Sequence, residues 1–286
     1  MRRTDFRTYA QQLAHENKSY MFPVIEKELL HYEILRAMSS ADLLSGLTFQ
    51  GGTSLRLCYG SQRHSEDLDF TGGLDFNQAD LRDLKTIITT ALPQDYNVEA
   101  RVKEPKDATS LVQRWKIVVD TTPLRPDIES QRISVEVAAI PSYTKELRPL
   151  RVNYYGVPES YGDIIVLVES LEEILADKML AFVVSSHIRY RDLWDMFWIM
   201  RRPRVNQDKT FELRDKKEID YEEAGTYETN LVRIDSHLDS IVNDGEFEAQ
   251  MRRFLPADAY EESVARPMFR EALINHIREL YNLSRA

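Results

Sequence analysis

The sequence predicts an α+β protein, with strands and helices mixed in an N-terminal part and helices alone in a C-terminal part. Three observations carry this. Short apolar runs bounded by glycine turns alternate with helix-period segments over the first half of the chain. One run, "RISVEVAAI", alternates strictly: Ile133, Val135 and Val137 fall on one face, Ser134, Glu136 and Ala138 on the other. From Ser170 onward nearly every segment has the helical period. The boundary is placed near Gly162, after the Pro- and Tyr-rich "RVNYYGVPESYG", dividing the chain into 1–162 and 163–286.

The first 45 residues read as helical, with an apolar stripe at Ile25, Leu29, Tyr32, Leu35 and Ala37 or Met38. "LTFQ" is a short strand ending at Gly51-Gly52. "TSLRLCYG" fits a helix that opens at Thr53 and stops at Gly60. "DLDFTGG" reads as a strand closed by a glycine turn, with Asp67 and Asp69 both on it. "FNQADLRDLKTIITTAL" reads as one helix capped by Asn77 or its neighbours. "YNVEARVKE", "SLVQRWKIVVD" and "RISVEVAAI" are the extended runs that follow. "SLEEILADKMLAFVVSS" and "RDLWDMFWIM" are the clearest helices of the second part; charged turns and amphipathic helices fill the remainder.

Composition narrows the classes. The chain has 286 residues and is 43% hydrophobic, enough to bury a core. No apolar run is long enough to span a bilayer, so no membrane partner is expected. The polar start does not read as a secretory signal. Cys58 is the single cysteine, which excludes an intrachain disulfide and fits a reducing cytoplasm. The net charge of −10 argues against nucleic acid until its distribution is read. Residues 205–263 hold 16 acidic and 7 basic residues, nearly the whole excess. Residues 101–151 hold 10 basic and 7 acidic, and Arg189, Arg191, Arg201, Arg202 and Arg204 cluster further on. Binding to RNA needs only a local basic face.

The chemistry begins at "FQGGTSLRLCYGSQRHSEDLDF". Asp67 and Asp69 stand two apart, so on a strand their carboxylates share a face. Such a pair repels itself unless a cation intervenes, and Mg²⁺ is the hard ion that oxygen ligands suit, with Mn²⁺ as the alternative. Gly51 and Gly52 would admit a phosphate close to the backbone, and Thr53 or Ser54 would open a helix that favours an anion. Ser65 would touch a phosphate or cap the turn. Glu136 becomes a third acid if its strand pairs beside "DLDF". Lys178 lies seven residues after Leu171, on the apolar stripe of its helix, so it either snorkels or points at an anion such as a triphosphate. Asp192 and Asp195 share a side of the next helix. The bland alternative makes Asp192 a helix cap and Asp195 a partner of Arg191 or Arg189. His64 and His187 lack metal-ligand spacing, and Cys58 is expected in the core.

"GGTSLRL", "RHSEDLDF", "SVEV", "EILADKMLAF" and "RDLWD" together resemble the AbiEii/MenT family of toxins, within the DNA polymerase β-like nucleotidyltransferase superfamily. The resemblance covers residues 47–200. It implies a nucleotidyltransferase-like mixed sheet with flanking helices and a helical domain that contributes Lys178 and Asp195. It implies that Gly51, Gly52, Thr53, Ser54, Arg63, Ser65 and Lys178 bind the nucleotide, and that Asp67, Asp69 and Glu136 bind metal. Asp67, Asp69, Glu136, Lys178 and Asp195 would be catalytic, with Glu136 or Asp195 as the base. It further implies a bacterial toxin of a toxin–antitoxin or phage-defence pair. Such a toxin would move a nucleotide from an NTP to an RNA acceptor, in some members the tRNA 3′ end, and be countered by an antitoxin with a winged-helix domain. The alternatives are transfer to a protein or small-molecule hydroxyl, or an NTP-binding module without turnover.

Overall fold

The computed structural model describes residues 4–17, 21–125, 127–223 and 225–282. The chain divides into two compact units, Met1–Val168 and Glu169–Ala286.

In the first unit, helices α1 (Phe6–Glu16) and α2 (Phe22–Ser40) precede the sheet. The expected stripe of α2 is buried, but so are Glu26, Glu28, His31 and Glu33, because this helix is enclosed on nearly every side. Residues 1–3 and 18–20 of the expected helical start lie outside the described residues. Strand β1 (Thr48–Gln50) runs into α3 (Gly51–Ser54), which continues as one π-helical turn over Leu55–Tyr59. The helix therefore opens at Gly51, two residues earlier than expected, because Gly51 takes φ 76° and turns the chain at once. Gly60, at φ 79°, ends it as expected.

Strand β2 (Leu68–Thr71) leaves Asp67 one residue ahead of it, a correction to the expected placement of both acids on the strand. The single helix expected from Asn77 is broken. A 3₁₀ turn (Gln78–Leu81), capped by Asn77 and Asp80, gives way to α4 (Leu84–Asp95). Strands β3 (Glu99–Lys103), β4 (Val112–Asp120), β5 (Gln131–Ala138), β6 (Lys145–Pro149) and β7 (Ile165–Glu169) complete a seven-stranded mixed sheet in the order β3-β4-β5-β2-β1-β7-β6.

One face of this sheet is core: Phe49, Leu68, Phe70, Val102, Trp115, Ile117, Ile133, Val135 and Val137 are all buried. The alternation read in β5 is thus real, and it aims Glu136 to the opposite face. Of that polar set only Ala138 is itself buried.

The second unit is helical. It holds α5 (Leu171–Val184), α6 (Tyr190–Met200), α7 (Gln207–Asp220), α8 (Thr226–Val242), α9 (Gly245–Phe254), α10 (Ala257–Glu262) and α11 (Pro267–Tyr281). Ser170 caps α5 through the Glu173 N–H. Helix α6 is buried from Asp192 to Ile199, as its nearly continuous apolar sequence implies. Among the described residues no helix is long and apolar enough to cross a membrane.

Candidate active site

Strand register brings the predicted acids of the first unit together. β2 pairs with β5 in parallel, with Asp69 opposite Glu136. β1 pairs with β2 antiparallel, with Gln50 opposite Asp69, and β4 pairs with β5 with Arg114 opposite Glu136. Arg114, Glu136, Asp69 and Gln50 therefore form one row across four strands. Asp67 stands one step along, where its Oδ1 accepts the Ser134 N–H at 2.9 Å. That bond anchors the carboxylate and leaves Oδ2 for another ligand.

The Gly-Gly turn is built into the same site. A Cβ on Gly51 would overlap Asp69 Oδ2 and lie 3.1 Å from Asp69 Cγ. A Cβ on Gly52 would overlap Arg63 Nη2 and lie 2.9 Å from Ser65 Oγ. Only glycines let an acid, a guanidinium and a hydroxyl close in on this turn. Thr53 donates its hydroxyl to the Asp67 carbonyl, and Ser54 donates to the Gly51 carbonyl at 2.8 Å. Both protons are thus committed to the backbone; Thr53 ties the turn to the acid loop, and Ser54 closes the turn on itself.

Glu136 is held by Arg114 in a two-pronged pair, Nε to Oε1 at 2.7 Å and Nη2 to Oε2 at 3.1 Å. This bonding raises the Arg114 pKa. Among the described residues no three His, Cys, Asp or Glu side chains are already gathered as a metal-holding group. Asp67 and Asp69 still suit a hard divalent ion by donor type and by their common face. Glu136 is the third acid of the row, with Arg114 as its partner.

The loop at residues 61–67 carries Arg63, Ser65 and Asp67, and α2 holds it through residues that sequence reading passed over. Glu28 Oε2 lies 3.0 Å from Arg56 Nε and 2.8 Å from His64 Nδ1, and Asn153 donates to Oε1 at 2.8 Å. Burial alone would raise the Glu28 carboxyl, but Arg56 and His64 hold it well below the usual carboxylate range. Arg56 also donates to the carbonyls of Ser61 and Gln62, and Arg63 to that of His64. His31 Nε2 sits 3.0 Å from the Glu66 carbonyl, and burial pushes its pKa down to about 4. Lys27 pairs with the Glu66 carboxylate at 3.1 Å. The available signal was a set of ionisable residues inside an otherwise apolar helix, which solvent exposure alone does not explain.

In the second unit, Lys178 is buried and its ammonium meets Asp192 Oδ1 and Asp195 Oδ2, each at 2.8 Å. It points at an anion, as one of the two expectations had it, but the anions are carboxylates of α6. Asp192 and Asp195 thus share the Lys178 ammonium. Arg189 also binds Asp192, whose carboxyl burial would raise but Lys178 and Arg189 hold well below the usual range. Arg202 stacks on Trp198 at 3.7 Å and Arg191 on Phe254 at 4.9 Å, so several arginines expected to track RNA are occupied by aromatic faces.

A second buried lysine was missed. Lys217 is fully enclosed and contacts Glu169 and Glu173 at 2.9 Å and Asp177 at 3.4 Å. One cation cannot neutralise three carboxylates. Burial, then the neighbouring Asp177, pushes the Glu169 carboxyl well up, and burial pushes the Asp177 carboxyl up against the pull of Lys217. Its signal was the same as for Lys178: Lys217 follows Leu213 by four residues on the buried stripe of α7. Cys58 is a core thiol, as expected, and burial raises its pKa to about 12.

The family model for the nucleotidyl transferase AbiEii toxin of type IV toxin–antitoxin systems matches residues 33–275. The chain belongs to the AbiEii family. It is accordingly a nucleotidyltransferase of the toxin–antitoxin class, and a nucleotide substrate and an antitoxin partner come with that membership. Nucleotidyltransferases in general use divalent metals. Among solved structures, the fold is similar to that of JHP933 from Helicobacter pylori, with a TM-score of 0.53 and 18% identity over 91% of this chain and 90% of that one. A second H. pylori structure, assigned provisionally as a nucleotidyltransferase, gives a TM-score of 0.47 and 18% identity over 89% and 92%. No curated protein matches.

Proposed function

We propose that this AbiEii-family chain transfers a nucleotide from an NTP to an RNA hydroxyl, with the tRNA 3′ end as the first acceptor to test, in a Mg²⁺-dependent reaction. The observation that carries this is the Gly51–Gly52 turn, against which Asp69, Arg63 and Ser65 converge. A phosphate approaching the turn would meet backbone N–H groups, the Arg63 guanidinium and the Ser65 hydroxyl. Asp67 and Asp69 would hold the metal, which when bound neutralises phosphate charge and brings the triphosphate to the acids.

The acceptor hydroxyl oxygen would form a bond to the α-phosphorus. The bond from that phosphorus to the bridging oxygen would break, and pyrophosphate would leave with that electron pair. The hydroxyl proton would pass to a carboxylate, Glu136 or Asp195. Glu136 is supported by its place beside Asp69 in the register; Asp195 enters through the family motif, as does Lys178 as the group for the triphosphate. An antitoxin carrying a winged-helix domain would restrain the activity, and the reducing cytoplasm is the proposed compartment.

The test is incubation with labelled NTPs, Mg²⁺ and total tRNA. Label should enter tRNA with the wild type and not with Asp69→Ala. No transfer by the wild type, or equal transfer by both, overturns the tRNA reading. Transfer only to a protein or small-molecule hydroxyl would replace the acceptor.

A further inference from the structure

The polar face of β3, β4 and β5 carries a set of cations, of which only Arg114 has a role above. Register puts Lys103 opposite Lys116, Lys116 opposite Ser134, and Val118 opposite both Arg101 and Arg132. Side chains at alternate positions share a face, so Arg101, Lys103, Arg114, Lys116 and Arg132 all project from the side that bears Glu136, Asp69 and Asp67. All five are exposed.

Two of the five are neutralised. Arg101 pairs with Asp120 at 2.9 Å and Arg114 with Glu136. Lys103, Lys116 and Arg132 have no ion-pair partner among the described residues. The row Lys103–Lys116–Ser134 leads straight to Asp67, which binds the Ser134 N–H. At about 4.8 Å per strand, it spans roughly 14 Å from the edge of the sheet to the acids. This is the arrangement expected of a track for a phosphodiester chain: fixed positive charge on an open surface, ending where a hydroxyl would react. It lies in a chain whose net charge is −10, so a general solubilising role does not account for it.

We propose that this face of β3–β5 receives the acceptor strand, with Lys103, Lys116 and Arg132 contacting its phosphates and Arg114 between them and the acids. The inference rests on the reading that the acceptor is RNA. An arriving phosphate would compete with Glu136 for Arg114, coupling acceptor binding to release of that carboxylate.

The experiment is fluorescence anisotropy with labelled tRNA, titrated across salt concentrations, for the full-length wild type, the triple variant Lys103→Gln/Lys116→Gln/Arg132→Gln, and Lys209→Gln on α7 as a control. ATP binding is measured in parallel by calorimetry. The three side chains are exposed, so the variant should fold. Loss of three phosphate contacts should lower the salt slope by about 2, at roughly 0.7 per contact on a single strand. Affinity at moderate salt should fall at least tenfold, with ATP binding and the control unchanged. If the wild type binds tRNA and the triple variant binds it equally, with the same slope, this assignment falls while the RNA reading stands. If the wild type binds no RNA, the RNA reading itself falls and takes the assignment with it.

Discussion

Gly51→Ala tests the site at its tightest point. Gly51 has φ 76°, a conformation that costs an L-residue about 1–2 kcal/mol. The added methyl would also overlap Asp69 Oδ2 and press on Asp69 Cγ at 3.1 Å. Asp69 cannot retreat as a backbone unit, because β2 is paired on one side to β1 and on the other to β5. Its carboxylate must rotate away. A displacement of about 1 Å in a reacting group can cost about 10²-fold in rate. The expectation is thus a melting temperature lower by about 2–8 °C, taking about 2–4 °C per kcal/mol for a unit of this size, together with a loss of nucleotide transfer of about 10²-fold. Transfer of labelled nucleotide to tRNA and thermal unfolding are measured side by side. Gly46→Ala, where a Cβ meets nothing within 4 Å, serves as the control. A Gly51→Ala protein with wild-type transfer would refute the claim that this turn presses on a catalytic carboxylate.

Three further outcomes are expected. Asp67→Asn should keep the Ser134 N–H bond through its amide oxygen and so hold stability within about 0.5 kcal/mol, while transfer falls by 10²-fold or more; unfolding and label transfer check both halves. Burial holds the His31 pKa down to about 4, below the ordinary histidine value of about 6.5, so the unfolded chain binds more protons between these values. Stability should be full above about pH 6.5 and fall as pH drops toward 4, by about 3 kcal/mol at 1.36 per unit; urea unfolding across this range should show a flatter curve for His31→Gln, and identical curves would contradict the assignment. Lys217→Met should destabilise the helical unit by about 3–5 kcal/mol, because it leaves Glu169, Glu173 and Asp177 without their cation; urea midpoints followed by tryptophan fluorescence measure this, and a midpoint equal to wild type would contradict it.

Local pattern was enough for several features. The alternation of Ile133, Val135 and Val137 identified β5 and its core face, and the continuous apolar run of α6 identified a buried helix. Glycine positions marked the turn after β1 and the stop at Gly60, since few other residues fill those conformations cheaply. The ordered motifs also carried the family resemblance that the match over residues 33–275 bears out. Local pattern put the helix start at Thr53, where Gly51 already turns the chain, and put Asp67 within its strand, whose end depends on hydrogen bonds to distant strands.

Short-range pattern was sufficient for the α+β class, the polar and apolar faces of the strands, and a family with a known class of chemistry. Each follows from short-range periodicity or from residue order. Which strands are neighbours depends on long-range pairing that no local pattern reveals. The order β5-β2-β1 sets Asp69 beside Glu136, and β4 supplies the Arg114 that holds Glu136. The tertiary structure likewise decided the partners of the buried charges: Glu28 with Arg56 and His64, Lys178 with two acids of α6, Lys217 with three. A buried charge must find an opposite charge or a proton, and which it finds depends on residues far away in the chain.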